Sequence, residues 1–446
     1  MEKMKFKNVI VGWGKGGKTL AKFLAERGES VAVIEASPKM YGGTCINIAC
    51  IPSKYLIVRS ERGMDFAAAA AQKATFIAGL NHKNYHNLAD EESVTVINGR
   101  ARFVANHELE VTAGTDKVRV VGERLFINTG AKPVLPELLG LVGNPDVLTS
   151  TELLDLKEQP KKLAIIGAGY ISLEFASMFV DYGSEVAVFD VREEFLARED
   201  RDLADRVKSD LEARGVSFHA PVELQEIREK ELFYKQNDAT HHFKFDKLLV
   251  ATGRKANTEN LGLENTSIQL NTRGEIIVND ILETTAAQVW AIGDVHGGAQ
   301  FTYTSLDDFR ILKNQLYGDK SRRLSDRGAV PTSVFIRPTL SSVGLNEQAA
   351  QALDKPYRLF KLATSAIVKA NVLGEPQGLL KALVDPETDE ILGATIYAPE
   401  SHELINLLSL AIKAKIPYGM IRDQIFTHPT ISEGLNDLFA DANEVK

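Results

Sequence analysis

Two cysteines stand close together in the stretch GGTCINIACIPSK, residues 42–54. Cys45 and Cys50 are the only cysteines among the 446 residues. In a reducing compartment a lone pair of cysteines is more often catalytic or metal-binding than structural. Cys50 opens the helical run that follows it, and the positive end of a helix dipole favours a thiolate. The pair therefore predicts thiol chemistry, with two inert buried thiols as the alternative.

A strand, a glycine-rich turn, a helix and a second strand precede the cysteines. The turn carries Gly12, Gly14 and Gly17, and the second strand ends on Glu35. In such a unit the first glycine permits the tight turn, the second admits a pyrophosphate, and the third lets helix and strand pack closely. The helix N-terminus holds the diphosphate, and we expect the acid to accept hydrogen bonds from ribose hydroxyls. The sequence therefore predicts a dinucleotide site.

The same pattern recurs in the middle of the chain. Its turn carries Gly167 and Gly169, Ser172 stands at the third small position, and its second strand ends on Asp190. Each acid follows the first glycine of its own turn at the same interval. Two such units predict two dinucleotides, and a cysteine pair directly after the first one predicts redox chemistry between them.

Two further segments are assigned to the first nucleotide site. ATGR, residues 251–254, follows an apolar run, and AIGD, residues 291–294, places Asp294 after a strand and a glycine. Such an aspartate can accept a hydrogen bond from a ribityl hydroxyl, and an ordinary turn aspartate is the alternative.

Composition excludes several classes of protein. The length and the 44% hydrophobic content allow about three domains with large cores. The net charge of −8 comes from interleaved acids and bases, which predicts no nucleic-acid partner. No apolar run approaches the roughly 18 residues that span a bilayer, and no secretory leader is evident at the start, so we expect a cytoplasmic protein without a membrane partner.

Taken together, these motifs resemble the class I flavin-dependent pyridine nucleotide–disulfide oxidoreductases. GGTCINIACIPSK, the two glycine turns, ATGR, AIGDV and THPTISE occur in that family's order across the whole chain. MYGGTCINI, FTYTSLDDFRI and HPTISEGLNDLF most resemble its reactive-chlorine-resistance (RclA-like) members. The resemblance implies an α/β fold with two Rossmann-like domains, one for FAD and one for NAD(P), and a C-terminal α+β dimerisation domain.

The resemblance also assigns roles to residues. Cys50 would be the flavin-proximal cysteine and Cys45 the outer thiol that meets the substrate, the two forming a redox disulfide. Lys54 would pair with Glu174 near the flavin, with a solvated lysine as the alternative. Ala49 stands where family members usually carry glycine. The remaining cofactor contacts that the resemblance implies are Gly43, Thr44, Thr129, Gly130, Ile171 and Gly253.

His428 is the candidate for acid–base work. Pro429 fixes the chain beyond it, and Glu433 is close enough in sequence to orient the imidazole. By resemblance His428 would reach Cys45 of the partner subunit, which makes a homodimer part of the active site; an ordinary His-Pro turn is the alternative. We expect His241 and His242 to be solvated, assign no role to His296, and predict no metal site.

The resemblance divides the chain into four segments. They are a first FAD-binding segment (1–148), an NAD(P)-binding domain (149–256), a return to the FAD region (257–328) and the interface domain (329–446).

The expected reaction passes electrons from NADH through FAD and the cysteines to a small oxidant. Asp190 favours NADH over NADPH by repelling a 2′-phosphate, and Arg192 would partly offset that repulsion. NADPH therefore stays the alternative reductant. Hypothiocyanous acid or Cu(II) is the expected oxidant. A dihydrolipoamide dehydrogenase, or another reductase of small disulfides, is the alternative, although Phe426 fills a position where that enzyme usually has a second histidine. A copper-binding protein is the more distant alternative.

Overall fold

The first part of the chain alternates strands and helices. The computed structural model describes residues 3–440 and 444–445, so the remaining positions of the predicted first and last segments lie outside the described residues. The strands are β1 (Lys3–Val11), β2 (Val31–Glu35), β3 (Val94–Asn98), β4 (Arg100–Ala105), β5 (Glu108–Ala113), β6 (Asp116–Ile127) and β7 (Ala131–Pro133). The helices are α1 (Lys15–Ala25), α2 (Thr44–Asn47), α3 (Cys50–Glu61) and α4 (Phe66–Ala89).

The second part repeats this alternation and adds a small antiparallel sheet. Its strands are β8 (Val147–Leu148), β9 (Lys162–Ile166), β10 (Glu185–Phe189), β11 (Val216–His219), β12 (Glu223–Arg228), β13 (Glu231–Gln236), β14 (Ala239–Lys244) and β15 (Lys247–Val250). Its helices are α5 (Ser150–Leu154), α6 (Tyr170–Asp181) and α7 (Arg201–Ala213).

The chain then returns to the first part and ends in a third unit. The return contains β16 (Arg254–Ala256), β17 (Val289–Ala291) and α8 (Thr302–Tyr317). The strands of the third unit are β18 (Thr332–Val334), β19 (Leu340–Gly344), β20 (Arg358–Ala363), β21 (Leu379–Val384), β22 (Ile391–Tyr397) and β23 (Glu444–Val445). Its helices are α9 (Glu347–Ala352), α10 (Val368–Leu373), α11 (Ser401–Lys413), α12 (Tyr418–Arg422) and α13 (Gly434–Leu438).

Two parallel sheets carry the glycine turns. In the first sheet β3, β2, β1, β6 and β17 are parallel, and β5 and β4 extend it in antiparallel fashion. The second sheet has the order β11-β10-β9-β15-β8 and is parallel throughout. Strand β2 is buried along its whole length, as a central parallel strand covered on both faces requires. Each glycine turn therefore lies at the carboxyl end of a central strand, where α/β sheets bind ligands.

The third unit is a largely antiparallel sheet with helices packed on it, in the order β18-β19-β22-β21-β20-β23. The predicted α/β class, with two dinucleotide-type sheets and a C-terminal α+β unit, is confirmed. None of the described helices is long and apolar enough to span a bilayer.

Two segment boundaries differ from the predicted ones. Strand β8 pairs with β15, so the second sheet takes in Val147, two residues before the predicted boundary. Strand β16 pairs with β7, so the chain has returned to the first part by Arg254 rather than at residue 257. Both strands are short edge elements, and their pairing rather than their own sequence decides the sheet to which they belong.

Candidate active site

The loop that carries Cys45 packs directly on the first glycine turn. Gly42 and Gly43 have φ values of +99° and +81°, which side chains rarely adopt. A Cβ on Gly43 would lie 2.9 Å from the Trp13 carbonyl oxygen and 3.0 Å from the Gly14 Cα. The sequence GG thus lets the thiol-bearing segment sit against the turn, with Thr44 as the first residue of α2.

Cys45 lies in α2 and Cys50 is the first residue of α3. Both are free thiols, and the Cys50 Sγ lies 3.8 Å from the Thr302 Oγ1 at the start of α8. A hydrogen bond from Cys45, helped by the positive charge of Lys54, lowers the pKa of Cys50 to about 6. The same hydrogen bond, together with burial, raises the pKa of Cys45. Cys50 is therefore the thiolate of the pair at neutral pH, and Cys45 is the thiol that needs a base.

Lys54 joins three parts of the chain. Its Nζ lies 2.7 and 2.6 Å from the two carboxylate oxygens of Glu174 on α6, which is the predicted ion pair. Glu174 also accepts a hydrogen bond of 3.0 Å from the backbone N–H of Phe335, whose ring centroid lies 4.7 Å from the Lys54 Nζ. The solvated alternative for Lys54 is therefore wrong.

The first glycine turn is braced by a side chain that the sequence did not single out. Asn128, at the end of β6, accepts a hydrogen bond of 2.9 Å from the N–H of Gly17 and donates one of 2.7 Å to the Ile292 carbonyl. A Cβ on Gly14 would lie 2.3 Å from the Asn128 Oδ1, and a Cβ on Gly12 would lie 2.5 Å from the Asn128 carbonyl oxygen. A side chain at any of these three glycines would collide with Asn128, so only glycine fits at each position.

The acceptors around this turn fit FAD. The Glu35 carboxylate accepts hydrogen bonds of 3.1 Å from the N–H groups of Trp13 and Ser37, one on each oxygen, and each oxygen keeps a lone pair for a ribose hydroxyl. The carboxylate of Asp294 accepts no hydrogen bond from the side chain of any described residue, and burial raises its pKa. Around Gly130, at φ +70°, an added Cβ would meet nothing within 4 Å, which leaves room for a bound group.

Two predicted contacts near the first site differ in their surroundings. The Thr129 hydroxyl donates a hydrogen bond of 2.9 Å to the Asn257 carbonyl, so in this structure its side chain ties the return segment to β6. Gly253 has φ +119°, and a Cβ added to it would meet no atom within 4 Å. The turn at Gly253 therefore has free space beside it.

The second glycine turn is more open. A Cβ on Gly167 would lie 2.7 Å from the Ala251 carbonyl oxygen, whereas a Cβ on Gly169 would meet nothing within 4 Å. Ile171, in the first turn of α6, is 37% exposed beside it. Ser172 is fully buried, and its hydroxyl has no hydrogen-bond partner among the described residues.

Asp190 is already paired on both carboxylate oxygens. It accepts hydrogen bonds of 2.7 Å from the Ala168 N–H, 2.8 Å from the Arg192 N–H, and 3.0 and 2.8 Å from the Arg192 guanidinium. Burial would raise the pKa of Asp190, but the hydrogen bonds from Arg192 outweigh it and lower that pKa. The Arg192 guanidinium therefore covers the acid that the sequence predicts to bind a ribose.

His428 lies on the surface of the third unit. Its Nδ1 is 2.8 Å from the Glu433 Oε2, and this hydrogen bond lowers the pKa of Glu433. The other Glu433 oxygen accepts a hydrogen bond of 3.2 Å from the Thr430 N–H. The histidine side chain is 68% exposed, so its Nε2 is available to a group outside this chain. Glu433 orients the imidazole in the way that the spacing predicted.

The other histidines have distinct positions. The buried His296 Nε2 lies 3.1 Å from the Asp308 Oδ2, which also accepts a hydrogen bond of 2.6 Å from the Gly293 N–H. His296 therefore helps to fix the turn that carries Asp294. His241 and His242 are exposed on β14, in agreement with the prediction.

The supporting residues that the sequence argument missed share an origin. Thr302, Ser305 and Asp308 all lie in α8, and the Ser305 hydroxyl accepts a hydrogen bond of 3.1 Å from the Gly16 N–H. Their segment, FTYTSLDDFRI, carries the family resemblance but no predicted contact. Thr302, Ser305 and Asp308 stand at intervals of three, and this helical spacing was the available signal that one helix face meets the glycine turn.

Comparison with known proteins agrees with this geometry. Residues 6–308 match the family model for the pyridine nucleotide-disulphide oxidoreductases, and residues 330–439 match the model for the dimerisation domain of the same proteins.

Three relatives illustrate the range of similarity. The probable pyridine nucleotide-disulfide oxidoreductase RclA of Escherichia coli (strain K12) is 45% identical over 98% of this chain and 99% of its own length. A mercuric reductase of Lysinibacillus sphaericus is 31% identical over 96% of this chain and 81% of its own. A dihydrolipoyl dehydrogenase of Bacillus subtilis (strain 168) is 31% identical over 98% of both.

Solved structures of the E. coli protein match the whole architecture. The HOCl-induced flavoprotein disulfide reductase RclA superposes with a TM-score of 0.93, and its Cu(II) complex with a TM-score of 0.94. Each is 45% identical, and each match covers 98% of this chain and 99% of the other.

Proposed function

The chain belongs to the pyridine nucleotide–disulphide oxidoreductase family, and we propose that it is an NADH-dependent flavoprotein that reduces hypothiocyanous acid. As a family member it is an oxidoreductase that uses FAD and NAD(P)H. The observation that carries the proposal is the asymmetry of the cysteine pair. Their mutual hydrogen bond lowers the pKa of Cys50 and raises that of Cys45, and Gly43 packs the loop that bears Cys45 on the first glycine turn.

The residues divide the binding work between two sites. Gly14, Gly17, Glu35 and Asp294 would hold FAD, and Asp190 with its glycine turn would hold the nicotinamide nucleotide. When bound, FAD supplies a two-electron carrier between NAD(P)H and the cysteines. The ion pair of Lys54 and Glu174 joins α3 to α6. It thereby links the helix that begins at Cys50 to the helix of the second glycine turn.

The cysteine chemistry balances for a small sulfur oxidant. The Cys45 sulfur attacks the sulfur of hypothiocyanous acid, a Cys45 sulfenyl thiocyanate forms, and the hydroxyl leaves as water with the thiol proton. The Cys50 thiolate then attacks the Cys45 sulfur, so the disulfide forms and thiocyanate leaves. Two electrons from NADH reopen the disulfide, and the net reaction converts NADH and hypothiocyanous acid into NAD⁺, thiocyanate and water.

Cys45 needs a proton acceptor because its pKa is raised. The imidazole of His428, oriented by Glu433, has the chemistry of such a base. Its exposure suits a role toward a second copy of the chain, so we propose that His428 of the partner subunit serves Cys45. Large apolar side chains that are exposed on the same C-terminal unit support a homodimer interface; they are Leu410, Met420 and Ile425.

The proposed cellular compartment is the cytoplasm. Both cysteines are free thiols, and the chemistry described for Cys50 needs a thiolate that is regenerated by a reductant. A reducing compartment that supplies NADH meets both conditions.

A substrate panel tests the proposal. With purified protein and NADH we expect rapid NADH oxidation with hypothiocyanous acid and little with glutathione disulfide or lipoamide. Cys45→Ser should abolish this turnover, and His428→Ala should lower it by about 10²–10⁴-fold. His241→Ala, at an exposed histidine of β14, is the matched control and should leave it unchanged. Efficient lipoamide turnover would transfer the assignment to dihydrolipoamide dehydrogenase.

Cu(II) is a second candidate oxidant. The E. coli relative has been solved as a Cu(II) complex, which supports testing the ion on this chain. Cu(II) accepts single electrons. Its reduction does not require removal of the Cys45 proton in the way that attack of Cys45 on hypothiocyanous acid does. We therefore expect slower Cu(II) reduction that depends less on His428, and His428→Ala separates the two substrates.

A further inference from the structure

The outer face of helix α4 and the residue that caps its C-terminus carry three polar side chains at intervals of four. They are His82, His86 and Asp90, and this spacing places them one above the other on a single helix face. Both histidines are exposed, and their ring centroids are 4.2 Å apart. None of the three belongs to the cysteine site or to either glycine turn.

The spacing of the two rings suits one metal ion. Imidazole nitrogens bind a transition-metal ion at about 2.0–2.1 Å, so two nitrogens on one ion lie at most about 4.2 Å apart. Two histidines at positions i and i+4 of a helix are an arrangement that holds such an ion. The two ring centroids in α4 are 4.2 Å apart, so the rings are close enough for side-chain rotation to bring one nitrogen of each to a shared ion.

A carboxylate already orients one of the rings. The Asp90 Oδ1 lies 2.9 Å from the His86 Nδ1, which leaves the His86 Nε2 pointing away from that hydrogen bond. Metal-binding histidines regularly give their second ring nitrogen to a carboxylate in this way, since the contact fixes the tautomer and raises ligand basicity. This second observation is independent of the ring spacing.

We propose that His82 and His86 form a surface site for a divalent transition-metal ion, with Asp90 as the positioning residue. The ligand set is two imidazole nitrogens, completed by water. Affinity for such nitrogen sites rises along the first-row series to a maximum at Cu(II), so Cu(II) is the ion the site binds most tightly. The inference does not rest on the proposed oxidant, because none of these residues takes part in the cysteine chemistry.

Other clusters in the described part of the chain do not offer this arrangement. Asp200, Asp202 and Glu347 converge on one point, but the buried Lys381 Nζ occupies it at 2.6, 2.8 and 2.6 Å from their oxygens. His241 and His242 are adjacent on a strand, where neighbouring side chains point to opposite faces.

The inner face of α4 meets the thiol-bearing loop. The Asn81 amide donates hydrogen bonds of 3.2 Å to the Tyr41 carbonyl and 3.1 Å to the Asn47 Oδ1, and the Asn84 Oδ1 accepts one of 2.6 Å from Lys18. One helix thus supports the cysteine loop on one side and would hold the ion on the other.

Cu(II) titration of the full-length protein tests the site. Cys45→Ser and Cys50→Ser are combined as the background, so that thiols neither bind nor reduce the ion. Calorimetry gives affinity and stoichiometry, and electron paramagnetic resonance reports nitrogen ligands on Cu(II). We expect one Cu(II) with nitrogen hyperfine structure, lost in both His82→Ala and His86→Ala, and bound about 10–100-fold more weakly in Asp90→Asn.

His241→Ala is the matched control, since it also removes an exposed histidine, and it should leave the site intact. Thermal unfolding confirms that each variant folds, and His82→Gln serves as a second variant at the same position. Unchanged Cu(II) affinity in His82→Ala and His82→Gln would overturn the proposal. An equal loss in His82→Ala and His241→Ala would overturn it too, because binding would then follow histidine number rather than position.

Discussion

The two glycine turns have the same backbone plan but different surroundings. In the first turn, Asn128 contacts Gly12, Gly14 and Gly17, and the Ser305 hydroxyl of α8 accepts a hydrogen bond from the Gly16 N–H. In the second turn, Gly169 has open space where a side chain would stand. The acids differ as well, because backbone N–H groups bond to Glu35 whereas a guanidinium covers Asp190.

This difference matches the two roles that a flavoprotein reductase needs. A cofactor that stays bound gains from a rigid site, since a pre-organised site loses little conformational freedom on binding. A nucleotide that enters and leaves in every cycle needs an open turn with adjustable contacts at its rim. Arg192, whose side chain is 61% exposed, is such a contact.

The largest expected effect is at the braced turn. In Gly14→Ala the new methyl would lie 2.3 Å from the Asn128 Oδ1 and displace the residue that bonds Gly17 and Ile292. We expect loss of most bound FAD, read from the flavin-to-protein absorbance ratio, and a stability loss of about 1–3 kcal/mol in unfolding experiments. Gly169→Ala, which meets no neighbour, should keep its FAD and raise the KM for NADH. Equal FAD loss in both variants would contradict the comparison.

The next effect concerns the ion pair of Lys54 and Glu174, which joins α3 to the helix of the second glycine turn. Lys54 lowers the pKa of Cys50, so Lys54→Met should raise it. The pKa of Cys50, lowered to about 6 first by the hydrogen bond from Cys45 and then by Lys54, should move upward by about one pH unit in the variant. Ultraviolet thiolate absorbance against pH measures the midpoint. Lys208→Met, at an exposed lysine of α7, is the control, and the argument fails if the two variants titrate alike.

A smaller effect is expected at the rim of the open turn. Arg192→Ala removes the guanidinium that neutralises Asp190, so the carboxylate should repel a 2′-phosphate more strongly. We expect kcat/KM for NADPH to fall about tenfold, equivalent to about 1.4 kcal/mol, with a smaller change for NADH. Arg198→Ala, six residues further along, is the matched variant. A larger NADPH loss there would assign the pocket to Arg198 instead.

The smallest effect is expected inside α6. Ser172 is buried without a hydrogen-bond partner among the described residues, so Ser172→Ala should raise stability by about 1 kcal/mol. Ser177, on the same helix, is buried but accepts a hydrogen bond of 2.9 Å from Arg214, so Ser177→Ala should lower stability by a similar amount. Thermal unfolding measures the change in stability of both variants. A gain in Ser172→Ala and a loss in Ser177→Ala would support the argument.

Much of the candidate site was predictable because its requirements are local. A positive φ at Gly12, Gly43 or Gly167 can be met at low cost only by glycine, so the turns are visible in the sequence. The position of Cys50 at a helix start and the reach of Glu433 to His428 follow from short spacings. The alternation of strands and helices likewise predicted two parallel sheets, since a parallel pair needs a crossover between its strands.

The sequence by itself thus determined the two dinucleotide turns, the paired cysteines and the α/β class. Only the tertiary structure decided what braces the first turn and what covers the acid of the second. Asn128 and Thr302 lie more than a hundred residues from the groups they contact, and such polar contacts leave no period in the sequence. The sheet to which β8 and β16 belong was also decided there, because a strand of two or three residues takes its place from its hydrogen-bonding partner and not from its own pattern.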